Sequence, residues 1–531
     1  MEEPLHPDMH LRKMPIGIQD FEDLRRNGYV YVDKTAFVWK LVTEGKPYFL
    51  SRPRRFGKSL LLTTLKAYFQ GKKELFDGLA IARLETEWKE YPVVHLDFNP
   101  SAYDSVDSLN NFIANCLKTM EDEYGLPPVD DTTAIRFKRL ITEVYKKTGR
   151  QVVVLVDEYD KPLLESMDNE TLNAALRAAL KPFYGVLKSA DAALRFVILT
   201  GVTRFSKVSI FSDLNQLWEI GMNEDYAALC GITEGELREN FIPELEALAQ
   251  KNGETVEQTL AAVRRSFNGY RFARHCQSVY NPFSVLNTFA NRDIQYYWFA
   301  TGTPTFLFKE LERTRFDITL FMDKIEVPEP EINDYRPGDR TPVPLLYQSG
   351  YLTITGYDRE LRVYRLGFPN EEVQYGFLNS LYRYLFPVQN DINGLNVWTF
   401  MKALRSGEAD VFLTQLKAFF ASVPYDLYFA KGEKYYQTIF YLIFTLLGQF
   451  AESEVRSAAG RADAVVKTRE RVYVFEFKLD KAGSAEEALR QIDGKGYLIP
   501  YRAGGRKLIK AGVVFDSGTR TIGDWRIQGT T

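Results

Sequence analysis

Residues 47–65, PYFLSRPRRFGKSLLLTTL, set an apolar run, then a basic loop, then Gly57-Lys58-Ser59 at the start of a helical pattern. That order fits the phosphate-binding pattern GxxxxGK[ST]. Loop and helix-start amides wrap phosphate, the lysine reaches the β/γ oxygens, and the hydroxyl holds magnesium. Gly57, Lys58 and Ser59 match, and Arg54, Arg55, Phe56 and Leu60 complete the stretch expected to line a nucleotide. The first glycine of the pattern falls on Arg52, which tolerates fewer backbone angles than glycine. Either Pro53 helps to build the turn differently or phosphate binding is weakened. A second run, QVVVLVDEYD, ends an apolar strand in Asp157-Glu158. In such a pair the aspartate holds magnesium and the glutamate orients or deprotonates the attacking water. The strand-like RFVILT ends in Thr200-Gly201, and Thr203-Arg204 follow at a sensor position that ordinary loop polarity explains equally well.

A separate chemistry lies in GRADAVVKTRERVYVFEFKLD, residues 460–480, where two apolar runs flank a polar turn and read as a hairpin. A turn centred between Thr468 and Arg469 sets Asp463 opposite Val474. Asp463 and Glu476 then become diagonal neighbours on the face that also carries Lys478. Carboxylates at ~7–8 Å backbone separation can ligate one hard cation, and a lysine beside them can position water or steady charge on a phosphate. The plain alternative is a solvated face of alternating charge. Tyr473, Phe475 and Phe477 take the other face, toward a core. Glu454 lies upstream on a preceding strand, and Ser484 with Glu487 forms a capping box for a helix that carries Gln491. Lys478, Lys481, Arg490 and Lys495 add local positive charge suited to a phosphate backbone.

These residues need elements to hold them. KPYFLS, PVVHLDF, QVVVLVDE and RFVILTG alternate with helical patterns, the signature of a parallel sheet covered on both faces. After an N-terminal arm (1–30), an α/β core is expected over 31–225. A helical lid follows over 226–310, where Thr233 with Glu236 and Thr255 with Gln258 form capping boxes. LLYQSGYLTI and RVYRLGFP then read as two strands followed by a helical EEVQYGFLNSLYRYLF, so 311–395 is expected to be winged-helix-like. Five prolines make Val327–Pro344 a loop or linker. A second break is expected near 387–396, which leaves 396–531 as a last domain.

Composition agrees with several domains. The chain has 531 residues, and at roughly 150 residues per domain three or four domains follow. Its 67 Lys+Arg against 70 Asp+Glu exclude a uniformly basic nucleic-acid coat, so any nucleic-acid contact must be local. Three scattered cysteines without CxxC and four histidines argue against disulfide frameworks and zinc modules and point to a reducing cytoplasm. The acidic start, MEEPLHPDMHLRK, does not read as a signal peptide. The apolar run Ile439–Leu447 falls short of the ~20 residues of a membrane span, so a buried core helix is expected and no membrane partner.

Assembled, these residues resemble a family of bacterial proteins with an N-terminal AAA-ATPase-like domain and a C-terminal PD-(D/E)XK nuclease domain. The resemblance rests on YVDKT (31–35), RPRRFGKS (52–59), VDEYDKP (156–162), TGVTRFS (200–206), NGYRF (268–272), YNPFS (280–284), YYWFATGTP (296–304), ESEV (452–455), GRAD (460–463), EFK (476–478) and Gln491 with Tyr497. It implies an α/β protein: a P-loop NTPase parallel sheet, a helical lid and winged-helix-like middle, and a C-terminal α/β nuclease-like domain. It implies a variant nucleotide loop at Arg52 rather than a decayed one. It also implies a magnesium site with Asp463 and Glu476 as ligands, Lys478 as the catalytic lysine, and Glu454 and Gln491 in support. The cofactors expected are ATP and Mg2+, and the partner a nucleic acid, DNA in preference to RNA. The expected function is an ATPase coupled to a DNA nuclease; the alternative is a nucleotide-switched DNA- or partner-binding regulator. Arg54, Arg55 and Arg204 can meet a phosphate of the same subunit or of a neighbour, which leaves a homo-oligomer open.

Overall fold

Short, mostly apolar runs build the first sheet: β1 (Pro47–Ser51), β2 (Val93–Asp97), β3 (Val152–Asp157), β4 (Leu194–Gly201) and β5 (Trp218–Glu219). All pair in parallel, in the order β2-β3-β4-β1-β5. A parallel sheet needs cover on both faces. Val152 to Val156 of β3 are buried along their whole length, with Leu61, Leu62 and Leu65 of the helix Lys58–Phe69 and Phe137, Leu140 and Ile141 of the helix Thr133–Thr148 in the same core. Phe137 stacks on Phe183 of the helix Glu170–Ser189 with ring centroids 4.6 Å apart.

The computed structural model describes residues 12–204, 216–300, 305–321, 325–333, 335, 339–385, 397–422, 439, 442–448, 452–455 and 463–530. The chain divides into two units, Met1–Gly302 with Glu326–Glu372 and Thr303–Ile325 with Val373–Thr531. The break expected at 387–396 lies outside the described residues, as do 205–206 and 301–304 of two motifs and 460–462 of GRAD.

In the first unit the sheet is followed by a short ladder of β6 (Ile232–Thr233) and β7 (Val279–Tyr280). Around it Leu237, Phe241, Leu248, Val263, Phe267 and Phe289 form an apolar cluster within the helical stretch. Both expected capping boxes are present, Thr233 with Glu236 and Thr255 with Gln258. Next come β8 (Ile325–Pro328), β9 (Thr353–Asp358) and β10 (Val363–Gly367), in the order β8-β10-β9. Here one expectation fails. Leu345 to Gln348 are the end of a helix, Val343–Gln348, not the start of a strand. Pro342 and Pro344 preset its first turn, and all six of its residues are buried, so an apolar run that reads as a strand is a helix closed in on every side.

The second unit carries a mixed sheet of β11 (Glu452–Val455), β12 (Ala464–Lys467), β13 (Arg471–Leu479), β14 (Lys507–Asp516) and β15 (Thr521–Thr530). One face of β13 is aromatic: Phe475 meets Phe412 and Phe444 at 5.5 and 5.3 Å, and Phe477 meets Phe515 at 5.9 Å. On the other face Val465, Val474 and Leu508 pack beneath Ile492 of the helix Ala485–Gly494. Among the described residues no helix is long and apolar enough to cross a membrane.

Candidate functional site

The first site forms where β1, β3 and β4 end. Gly57, in the left-handed region at φ 91°, turns the chain into the helix Lys58–Phe69. The buried Lys58 ammonium donates to the main-chain oxygens of Arg52 and Pro53, each at 3.2 Å, and stands 3.5 Å from Glu158 Oε1. Asp157 Oδ1 accepts from Thr200 Oγ1 at 2.6 Å and from the Glu158 amide at 3.0 Å. Glu158 itself has a left-handed φ of 51°. Asp160, fully buried, accepts from the amides of Val202 and Thr203 and from the Thr203 hydroxyl, which ties the end of β4 to the end of β3. Burial, and then the neighbouring Glu158, hold the Asp160 carboxyl above its usual range.

Arg52 explains the missing glycine. Its amide donates to Gly201 O, extending the β1–β4 ladder, and its buried guanidinium donates to Gly221 O at 2.6 Å and Tyr226 O at 3.1 Å while lying 4.2 Å from the Phe272 ring centre. The side chain points into the protein and braces the loop from behind.

A cleft of about 480 Å³ opens over this loop, lined by Arg54, Arg55, Gly57, Lys58, Ser59, Leu60 and Glu158, and also by Asn99, Lys161, Glu165 and Phe283. Arg55, at φ 68°, lies 4.9 Å from the Phe283 ring centre. A smaller apolar pocket of about 100 Å³ shares Gly57, Leu60, Pro282 and Leu286 with the cleft. Cations, helix-start amides and the Ser59 and Asp157 oxygens are a donor set that fits a nucleotide polyphosphate with magnesium.

Of the expected nucleotide residues, Phe56, Asp157, Thr200 and Arg204 do not line the cleft. Phe56 is buried edge-on against Tyr270 at 4.8 Å, the Thr200 hydroxyl donates to Asp157, and Arg204 pairs with Glu219 while its amide donates to Gln348 Oε1. The YNPFS and YYWFATGTP motifs meet at Glu372, which accepts from the Ser284 hydroxyl and the Trp298 amide. Burial pushes Glu372 up to about 7. The Trp298 indole in turn donates to Arg54 O in the phosphate loop.

The second site lies on the face of β13 beside the helix Ala485–Gly494. The hairpin register differs from the expected one. The Thr468 amide donates to Arg471 O and the Arg471 amide to the Thr468 hydroxyl, so the turn centres one residue later, on Arg469-Glu470. Val465 then faces Val474. Continuing that register sets Asp463 level with Glu476 rather than diagonal to it, and Asp463 Oδ2 accepts from the Phe477 amide at 2.9 Å. Lys478 Nζ donates to Gln491 Oε1 at 2.6 Å, and Gln491 Nε2 donates to Glu476 Oε1. Lys478 Nζ is also 3.7 Å from Glu476 Oε1. Glu476 is buried, its Oε2 has no hydrogen-bond partner among the described residues, and burial with the nearby Asp463 charge raises it to about 7.

An acceptor of that kind, beside a second carboxylate, fits a hard cation that keeps part of its water shell. Among the described residues no group of three or more His, Cys, Asp or Glu side chains could hold a metal, so the described part of the site is a carboxylate pair. Glu454 is described by its strand position, opposite Val465 on β11. Tyr497 packs in the apolar cluster under the helix.

Two features here escaped the sequence reading. Gly512 of β14 is level with Glu476, and a Cβ there would run into Ala485 O and lie 2.9 Å from Ala488 Cβ. The glycine lets the helix settle low enough for Gln491 to reach Glu476. Lys510, buried on the same strand, pairs with Asp493 two residues beyond Gln491. Of the cleft residues, Lys161 stood in VDEYDKP and Phe283 in YNPFS, but nothing in their spacing singled them out.

Comparison with known proteins bears on both sites. A family described as predicted AAA-ATPase matches residues 15–211, and the PD-(D/E)XK nuclease superfamily matches residues 431–525. A protein of Azotobacter chroococcum mcd 1, described as an uncharacterized protein in the vnfD 5′ region, is 37% identical over 522 residues, covering 97% of this chain and 98% of its own. Among solved structures, the Aeropyrum pernix ORC2 protein in ADPNP-ADP complexes aligns at 10% identity over 71% of this chain and 97% of its own, with a TM-score of 0.22.

Proposed function

Because the chain belongs to the family that joins a predicted AAA-ATPase domain to a PD-(D/E)XK nuclease superfamily domain, we propose that it binds and hydrolyses ATP and that this cycle governs a magnesium-dependent nuclease acting on DNA phosphodiester bonds. We assign 31–225 to the ATPase core, 226–310 to a lid, 311–395 to a winged-helix-like module and 396–531 to the nuclease. The reading is carried by the chain of contacts Lys478, Gln491, Glu476, which leaves Glu476 Oε2 as an unmatched buried acceptor level with Asp463.

In this reading Asp463 and Glu476 hold the cation, with Glu454 in support, and the cation supplies a polarised water and charge for the scissile phosphate. Gln491 keeps Lys478 and Glu476 in register, and Lys478 steadies the phosphate as charge builds on it. In the nucleotide site Gly57, Lys58, Ser59 and Leu60 with Arg54 and Arg55 take the phosphates, and Phe56 anchors the loop. Ser59 and Asp157 are the magnesium ligands. Glu158 orients water, Thr200 and Arg204 act from behind it, and the apolar pocket suits the base. The test is magnesium-dependent cleavage of DNA by the full chain, with Asp463→Ala and Lys478→Ala beside it. Loss in both variants is expected, and equal cleavage by all three proteins overturns the assignment.

A second reading, a nucleotide-switched regulator whose nuclease fold only grips nucleic acid, draws on the Lys58 to Glu158 ion pair. A glutamate engaged with the phosphate-loop lysine suits binding without turnover. Tight ATP binding with no hydrolysis, unchanged in Glu158→Gln, would favour it.

A further inference from the structure

The cleft holds a cation that no motif assigns. The Lys161 side chain is 18% exposed, its ammonium donates to the main-chain oxygen of Asn99, and it stands 3.5 Å from Glu165 Oε1. Its amide donates to Glu158 O at 3.0 Å, which seats it at the Glu158 end of the cleft. That end is where Lys58 and Glu158 meet, hence where the outermost phosphate of a nucleotide on Gly57-Lys58-Ser59 would lie. It is also rich in acid. Asp97 faces Asp157 across the β2–β3 ladder, and Glu158 and Glu165 line the cleft itself. Burial, together with Asp157 and Glu158, pushes the Asp97 carboxyl above its usual range, and Lys161 opposes that push. A terminal phosphate entering such a place needs positive charge close by.

The geometry points to Lys161 as a phosphate-reading residue: its ammonium exchanges the Asn99 carbonyl for a terminal phosphate oxygen and so separates nucleoside triphosphate from diphosphate. The proposal rests on the nucleotide-site reading above. The exchange is favourable because a charge-assisted hydrogen bond to an anionic oxygen is stronger than one to a neutral carbonyl. The flexible four-carbon stem lets the ammonium turn without moving the backbone. A diphosphate leaves the Glu158 end empty, so Lys161 stays on Asn99.

The experiment is calorimetric titration of the full chain with magnesium and either a non-hydrolysable ATP analogue or ADP, for wild type, Lys161→Met and Lys161→Arg, with each variant's melting temperature recorded. Lys161→Met is expected to weaken the triphosphate analogue roughly 10- to 100-fold, the range of one charged hydrogen bond. It should leave ADP within about twofold, and Lys161→Arg should recover most of the loss. Equal weakening of both nucleotides, or of neither, overturns the proposal. If wild type binds neither nucleotide, the nucleotide-site reading itself falls.

Discussion

Each unit sets a buried carboxylate on a strand of its sheet, Asp157 at the end of β3 and Glu476 within β13, and the two are treated in opposite ways. Asp157, at the end of β3, is met by the Thr200 hydroxyl and the Glu158 amide. Glu476, on β13, has one oxygen on Gln491 and the other facing no donor among the described residues. The first is held in place by hydrogen bonds whatever else is present. The second is left with an acceptor to fill, and its surroundings favour the proton until something replaces it. Nucleotide sites need a loop kept in shape between visits. A cation site built on two carboxylates gives up its proton as the cation binds.

That contrast can be broken experimentally. The largest effect expected is at Lys478: Lys478→Ala should lower DNA cleavage roughly 100- to 1,000-fold, the cost of one preorganised donor, in a gel cleavage assay, with nucleotide affinity unchanged. The mirror experiment is Lys58→Ala, which should weaken nucleotide binding about 100-fold by calorimetry and leave metal affinity at Glu476 as it was. A variant that moved both would show the sites to be less separate than their chemistry. Gln491→Ala should cost about 10- to 100-fold in metal affinity, the usual effect of removing an outer-shell partner, read by titration with Mn2+.

Arg52→Gly restores the familiar loop glycine, yet it should destabilise the first unit by about 2 kcal/mol, because Gly221 O and Tyr226 O lose a charged donor. Urea unfolding measures it, and a gain in stability would refute the bracing role.

The smallest effect is in pH. Glu476 is raised from 4.5 to about 7, so its proton is held more tightly by the folded chain. Its contribution to stability is full below the usual value and is lost as pH rises through about 7. Metal binding should therefore strengthen with pH up to about 7 and then level off. In the metal-free chain, Asp463→Asn should move the Glu476 midpoint down, read by NMR titration, since a like charge is removed. A midpoint that stays put would mean that burial alone sets it.

The two sites were also unequally legible. The phosphate loop, the acids ending β3 and the capping boxes at Thr233, Thr255 and Ser484 are local patterns, in which chain neighbours are also space neighbours, and each lies where its spacing implied. The carboxylate site depends on register. There the residue types and the shared face of Asp463, Glu476 and Lys478 could be read, but one turn residue changed who faces whom, because the Thr468 hydroxyl tightens the hairpin about Arg469-Glu470. Arg52 looked like a defect because its partners, Gly221, Tyr226 and Phe272, are remote in the chain. The same holds for Asn99 and Phe283 in the cleft. Gly512 is silent in sequence: only a helix arriving from elsewhere gives its missing Cβ a purpose.

The Trp298 indole that donates to Arg54 O has a spectroscopic consequence. Of the chain's six tryptophans, this one is buried and hydrogen-bonded to the main chain of the phosphate loop itself. Indole emission depends on the polarity around the ring and on the partner of its N–H. Any rearrangement of the loop around Arg54 is therefore recorded by an intrinsic fluorophore. With the other five replaced by phenylalanine, loop movement on nucleotide binding could be timed by stopped-flow without an added label.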